Sequence, residues 1–316
     1  MPRILINFEF PEKYINVLRE KYGELDFAVS ADKEEVFEYL KNAEILITFF
    51  KCSKKMLDAA PALKWVQAIS AGVDYMPLDE VARRHLILTN GRGIHRIHMA
   101  EFALASMINM ARSFHVMFRN QIHRKWDRST PQGEINGSVL GIIGLGDIGK
   151  EIARKASFLG MHVIGVKRSP EPLEFVEEVY GSRDLGKVFE KSDYIINLLP
   201  YTAATERIID KTYFDLMKES ACFINMGRGK TVNEPDLIET LRNGKIRAMV
   251  SDVYFEEPLP EDSPLWDLEN VILTPHICGM SPKYMERATE IIDHNLEVYL
   301  HRKGEMINLV DLESGY

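Results

Sequence analysis

A chain of 316 residues, 46% of them apolar, can bury a large core and by length is expected to fold as two domains. Its formal net charge of −8 is spread along the sequence instead of gathered into a basic face, which argues against nucleic acid or anionic membrane as a main partner and favours small-molecule chemistry. The three cysteines, Cys52, Cys222 and Cys278, are odd in number and form no C-x-x-C pair, so neither a disulfide framework nor a zinc knuckle is indicated and a reducing, cytoplasmic compartment is expected.

The opening Met-Pro-Arg-Ile-Leu-Ile-Asn-Phe runs straight into a strand pattern without a basic segment and long apolar stretch, so no signal peptide is expected, and no apolar run approaches the length of a membrane span. Short apolar runs at Ile4–Phe8, Glu44–Phe49, Trp65–Ile69 and Leu86–Leu88 alternate with helical patterns such as Pro11–Tyr22 and Glu34–Lys41, which predicts a small parallel α/β sheet. From His98 to His123 an apolar pattern near the helical period, carrying Met99, Phe102, Ala103, Leu104, Met107, Ile108 and Met110, predicts one long connecting helix. A polar stretch, Arg124–Ser138, leads into a second series with strands at Val139–Ile143, His162–Val166, Tyr194–Leu198, Cys222–Asn225, Arg247–Ser251 and Val271–Leu273. Six strands with intervening helices fit a dinucleotide-binding domain, and a last helix over Lys283–His301 is long enough to return to the first domain. The fold class is therefore α/β: two doubly wound parallel-sheet domains, with a Rossmann cofactor domain (98–282) inserted in a flavodoxin-like substrate domain (1–97 and 283–316).

The segment Val139-Leu-Gly-Ile-Ile-Gly144-Leu-Gly146-Asp147-Ile148-Gly149 places G-x-G-x-x-G at the end of a strand and the start of a helix. Gly144 permits the tight turn, Gly146 lets the backbone approach a pyrophosphate, and Gly149 allows close helix-to-strand packing, while the helix N-terminus supplies N–H groups and partial positive charge. An enzyme preferring NAD usually ends the next strand with an acidic residue for the ribose 2′-hydroxyl. Here His162–Val166 is followed by Lys167-Arg168-Ser169, two cations and a hydroxyl suited to a 2′-phosphate, so NADP(H) is the expected cofactor, with NAD(H) as the alternative.

Reducing a 2-keto acid requires holding a carboxylate, polarising a carbonyl and delivering a proton. Asn225-Met-Gly-Arg228-Gly offers an arginine fork between glycines just past a strand end, and Thr274-Pro-His276-Ile-Cys-Gly offers a histidine past another. Glu257, before Pro258, is the candidate carboxylate partner that orients the imidazole and favours its protonated form. Singly, each residue has a plainer role: a buttress for helix carbonyls, a surface histidine, a solvated turn. Their joint occurrence behind a glycine loop is what points to catalysis.

These residues resemble the D-isomer-specific 2-hydroxyacid dehydrogenases over nearly the whole chain. The resemblance rests on Ser70-Ala-Gly-Val-Asp74, Thr89-Asn90 with Ala100-Glu101-Phe, Gly144–Gly149, Asp193 leading to Leu199-Pro200 and Thr205, Ile224-Asn-Met-Gly-Arg-Gly229, Asp252-Val with Glu257-Pro258, and Asn270-Val-Ile-Leu-Thr-Pro-His276. It implies that Arg228 binds substrate carboxylate and carbonyl, that His276 is the general acid and base, and that Glu257 modulates it. It also implies that backbone N–H groups of Ala71 and Gly72 hold the substrate carboxylate, that Asp252 meets the nicotinamide carboxamide, and that Leu199, Pro200, Thr205, Met226 and Gly279 line the cofactor. A cleft that closes over a small 2-keto or 2-hydroxy acid, and a homodimer made largely through the cofactor domain, belong to the same implication.

Lys167-Arg168-Ser169 resembles the NADPH-dependent glyoxylate and hydroxypyruvate reductases of the family, which favours reduction as the working direction. No regulatory domain follows Tyr316, so a long-form phosphoglycerate dehydrogenase is not expected, while a short form stays open. So does a nucleotide-sensing protein of the C-terminal binding protein type. Cys278 is expected to be a small buried residue, and no H-E-x-x-H or cysteine cluster suggests a metal. Loops at Phe49–Cys52, Ser70–Asp74 and Gly93–His98 are expected to set which side chain of the substrate fits.

Overall fold

The computed structural model describes residues 3–49 and 52–312, so Phe50 and Lys51, within the expected specificity loop Phe49–Cys52, lie outside the described residues. The chain divides into two compact units, one formed by Met1–Ile94 with Ser281–Tyr316 and the other by His95–Met280.

The first unit alternates β1 (Arg3–Ile6), α1 (Glu12–Lys21), β2 (Asp26–Val29), α2 (Lys33–Leu40), β3 (Ile45–Thr48), α3 (Lys54–Asp58), β4 (Trp65–Ala68), α4 (Leu78–Arg83) and β5 (Ile87–Thr89). All neighbouring strands are parallel, in the order β2-β1-β3-β4-β5, which is the flavodoxin-like winding. Every residue of β3 and β4 is buried, because helices cover both faces of such a sheet and the strands read as continuous apolar runs. The edge strand β2 is absent from the sequence-based expectation. It begins with exposed Asp26 and pairs with β1 alone, so it carries no long apolar run. A C-terminal helix, Tyr284–His301, returns to this unit, where Ala288, Ile292 and Leu296 join Ile4, Ile6 and Trp65 in one core cluster. Lys21 donates to the Asp293 carboxylate at 2.8 Å, and the buried Asn295 side chain donates to Gln67 Oε1 at 2.9 Å.

The second unit opens with α5 (Arg96–Arg112) and α6 (Phe114–Ile122), where one continuous helix is expected from sequence. The break is at Ser113, which adopts a left-handed conformation with φ of 52°. Its hydroxyl donates to Pro131 O at 2.8 Å, and the Asn109 side chain accepts the His115 N–H at 3.0 Å, capping the new helix from the end of the old one. Apolar periodicity runs through this junction undisturbed, so the pattern carries no mark of it.

A seven-stranded sheet follows: β6 (Val139–Ile143), α7 (Asp147–Phe158), β7 (His162–Val166), β8 (Glu178–Tyr180), α8 (Leu185–Lys191), β9 (Tyr194–Asn197), α9 (Lys211–Phe214), β10 (Cys222–Asn225), α10 (Glu234–Arg242), β11 (Ala248–Ser251) and β12 (Val271–Leu273). The order β12-β11-β10-β9-β6-β7-β8 is wholly parallel and is that of a Rossmann domain. Its seventh strand, β8, is the short edge segment Glu-Val-Tyr, too brief and too polar to register as an apolar run. Ala100 and Ala103 of α5 meet Ala153 and Ala156 of α7 in one cluster with Ile142 and Ile152, and small side chains let the two helices approach closely. Full burial of a side chain such as Ile142 or Ile152 contributes about 1.5–3 kcal/mol.

Candidate active site

Because the second sheet is parallel, the carboxyl ends of all its strands open on one edge, and the winding reverses between β6 and β9. The sequence-predicted residues of this unit fall on loops leaving those ends. After β6, Gly144 turns with φ of 109°, and a Cβ on Gly149 would lie 2.3 Å from Gly144 O, so α7 reaches its position only because neither residue has a side chain. Gly146 is the N-cap of α7 and makes no side-chain cap, with Asp147 and Ile148 opening the helix. The arrangement fits a dinucleotide pyrophosphate held at a helix N-terminus.

After β7, the Lys167 N–H donates to Tyr180 O at 3.0 Å and its ammonium pairs with Glu171, while Arg168 and Ser169 are exposed. After β9, Asn197 accepts the Leu199 N–H at 3.1 Å and donates to Asn225 Oδ1 and Thr231 Oγ1, tying this loop to the next. Thr205 Oγ1 donates to Pro200 O at 2.7 Å and closes the turn that begins at Leu199. After β10, Met226 is buried, and Arg228 Nη1 donates to Gly227 O at 3.0 Å. Thr231 Oγ1 accepts from Asn197 and donates to Arg228 O at 2.6 Å, which fixes the backbone beneath the guanidinium.

Asp252, after β11, is fully buried. One carboxylate oxygen accepts from Thr274 Oγ1 and the Ile277 N–H, and the other accepts the Cys278 N–H at 2.9 Å. Those bonds fasten the loop after β12, in which His276 takes a left-handed conformation with φ of 52°. Such a conformation costs a non-glycine residue about 1–3 kcal/mol and persists where surrounding contacts enforce it.

His276 Nδ1 donates to Glu257 Oε2 at 2.6 Å, and Glu257 Oε1 accepts the Tyr254 N–H at 3.0 Å. The bond to Glu257 raises the imidazole pKa above its ordinary value, against the opposing pull of burial and of the Arg228 charge. Burial pushes the Glu257 carboxyl upward, but the bonds from His276 and Tyr254 and the charges of His276 and Arg228 outweigh it, so it stays below the usual range. The structure thus brings Arg228, Glu257 and His276 into electrostatic reach of one another. Gly279 O lies 2.9 Å from His98 Nε2. In the first unit, Ala71 and Gly72 follow β4, where Asn90 Nδ2 donates to Ala71 O and Ser70 Oγ donates to Gly72 O, leaving their carbonyls engaged.

Sequence reasoning missed Tyr254. Its N–H binds Glu257, and its hydroxyl lies 2.9 Å from Ser251 O and 2.8 Å from Thr274 O, so one side chain joins the loops of β11 and β12. A tyrosine in an apolar run gives no sign of this. Cys278 is buried, and burial together with the nearby Asp252 charge pushes its thiol far above the ordinary value, which leaves it unreactive. Among the described residues no group of His, Cys, Asp and Glu is placed to hold a metal ion, and no helix is long and apolar enough to cross a membrane.

The profile of the D-isomer specific 2-hydroxyacid dehydrogenase NAD binding domain matches residues 104–278. A D-3-phosphoglycerate dehydrogenase of Methanocaldococcus jannaschii is 32% identical over 99% of this chain, which spans 60% of the length of that relative. A glyoxylate reductase of Korarchaeum cryptofilum is 30% identical over 99% of this chain and 96% of its own length. A solved structure of an NADPH-dependent glyoxylate/hydroxypyruvate reductase from Sinorhizobium meliloti, in complex with NADP and sulfate, superposes with a TM-score of 0.86 at 25% identity, covering 100% of both chains. The chain belongs to the D-isomer specific 2-hydroxyacid dehydrogenase family, oxidoreductases that act on CH–OH donors.

Proposed function

We propose that this dehydrogenase works as a reductase of a small 2-keto acid such as glyoxylate or hydroxypyruvate, forming the D-2-hydroxy acid, with NADP(H) preferred and NAD(H) accepted. The observation that carries the reading is the 2.6 Å bond between His276 and Glu257 on the strand-end edge that also bears Arg228 and the glycine loop. The nicotinamide, when bound, supplies the hydride. The Arg228 fork pairs with the substrate carboxylate and draws electron density toward the carbonyl oxygen. His276, its Nδ1 committed to Glu257, delivers a proton from Nε2 to that oxygen, and Glu257 stabilises the imidazolium before transfer. Run backwards, the same imidazole takes the hydroxyl proton.

The second unit, expected at 98–282, is the proposed cofactor domain. Its glycine loop holds the pyrophosphate, Lys167, Arg168 and Ser169 receive the 2′-phosphate, and Leu199, Pro200, Thr205, Met226 and Gly279 line the nucleotide. Asp252 is proposed to face the nicotinamide carboxamide through the loop that it braces. The remainder, 1–97 with 283–316, is the proposed substrate domain, in which Ala71 and Gly72 offer backbone N–H groups to a substrate carboxylate. Cytoplasmic residence and a homodimer complete the reading. The exposed apolar side chains of α6, Phe114, Phe118 and Ile122, support the dimer.

The test is a panel of glyoxylate, hydroxypyruvate, pyruvate and longer keto acids with NADPH and with NADH. The expected result is the highest kcat/KM for glyoxylate or hydroxypyruvate with NADPH. The likeness to the Methanocaldococcus protein supports a second reading, a phosphoglycerate dehydrogenase, which predicts NAD(H) preference and a phosphorylated substrate. Absence of turnover on every acid would favour a nucleotide sensor.

A further inference from the structure

The cation that the nucleotide would use is already occupied. Lys167 is anchored by its backbone N–H to Tyr180 O at the end of β8, and its side chain is 27% exposed. That ammonium is bonded to the carboxylate of Glu171, four residues on and 60% exposed. The charge of Lys150, on α7, also reaches Glu171. Among the described residues, Arg168 makes no hydrogen bond or ion pair, so it stands ready while Lys167 does not.

We propose that Glu171 is a specificity-determining residue: by holding Lys167 it weakens the binding of nucleotides with a 2′-phosphate and so narrows the preference for NADP(H) over NAD(H). The inference rests on reading Lys167-Arg168-Ser169 as the 2′-phosphate site. An exposed lysine–carboxylate pair is weak, so a phosphate dianion displaces it, but the displaced carboxylate then stays close to like charge. A nucleotide with a free 2′-hydroxyl leaves the pair intact. Glu171 therefore weakens one class of nucleotide and not the other.

Calorimetric titration of the full chain with 2′,5′-ADP and with ADP separates the two, since neither carries a nicotinamide. In Glu171→Gln the affinity for 2′,5′-ADP is expected to rise by roughly 3–10-fold while that for ADP stays within about twofold, and the gain should shrink at high salt as screening grows. In Lys167→Gln/Glu171→Gln the gain should vanish relative to Lys167→Gln alone. If Lys167→Gln weakens 2′,5′-ADP yet Glu171→Gln changes nothing, or tightens both ligands equally, the role of Glu171 is overturned and the phosphate site stands. If Lys167→Gln binds 2′,5′-ADP as well as the wild type, Lys167 is no part of the phosphate site and the role of Glu171 falls with it, whereas only an unchanged affinity in Arg168→Gln as well would bring down the phosphate site itself.

Discussion

His276 stands between Pro275 and Gly279 with a left-handed backbone, and its Nδ1 is bonded to Glu257 at 2.6 Å. Because that bond raises the imidazole pKa, the protonated acid needed for reduction persists to higher pH than in an ordinary histidine, and reductive kcat/KM falls as pH rises through the raised value. In Glu257→Gln the upward pull of Glu257, the largest, disappears and only the smaller pull of Asp252 is left against burial and Arg228, so the falling limb should move to lower pH. A pH profile of kcat/KM checks this, and an unmoved limb would assign the proton to another group. Asp252 and Thr205 teach a related lesson: the resemblance assigns both to the cofactor, and the structure shows both engaged in fastening loops.

Among elements, the central strands were legible because a strand covered on both faces must be apolar throughout, and β6, β7 and β10 have the bounds that their apolar runs predict, as does the edge strand β12, Val-Ile-Leu. The edge strands β2 and β8 were not, since β2 opens on exposed Asp26 and β8 on exposed Glu178, and neither carries a long apolar run. The division of α5 from α6 was equally hidden, because it depends on side-chain bonds from Asn109 and Ser113 that leave the apolar period intact. The loop after β12 gives three of its donors to one carboxylate, that of Asp252. Asp252→Asn keeps the size but leaves an amide N–H₂ facing a backbone donor in a fully buried place, which should cost about 1–3 kcal/mol. Denaturant unfolding measures it, and unchanged stability would mean that the loop is held by Tyr254 instead.

At the scale of the molecule, no side chain of α6 is fully buried, and Phe118 is 59%, Ile122 77% and Trp126, just beyond it, 92% exposed. Apolar groups gathered in this way on one short segment support the homodimer proposed above. The double variant Phe118→Glu/Ile122→Glu is expected to sediment as a monomer where the wild type sediments as a dimer, and a persisting dimer would place the interface elsewhere. The amino-acid sequence by itself determined the α/β class, the glycine loop and the candidate triad, because strand and helix periods, glycine spacing and residue chemistry are local properties. Which atoms meet was decided only by tertiary structure: Glu257 lies 19 residues from the imidazole it binds, and Asp252 lies 25 from the Ile277 N–H it accepts. Such pairings arise when parallel strands bring their ends to one edge, and no period in the chain encodes that meeting.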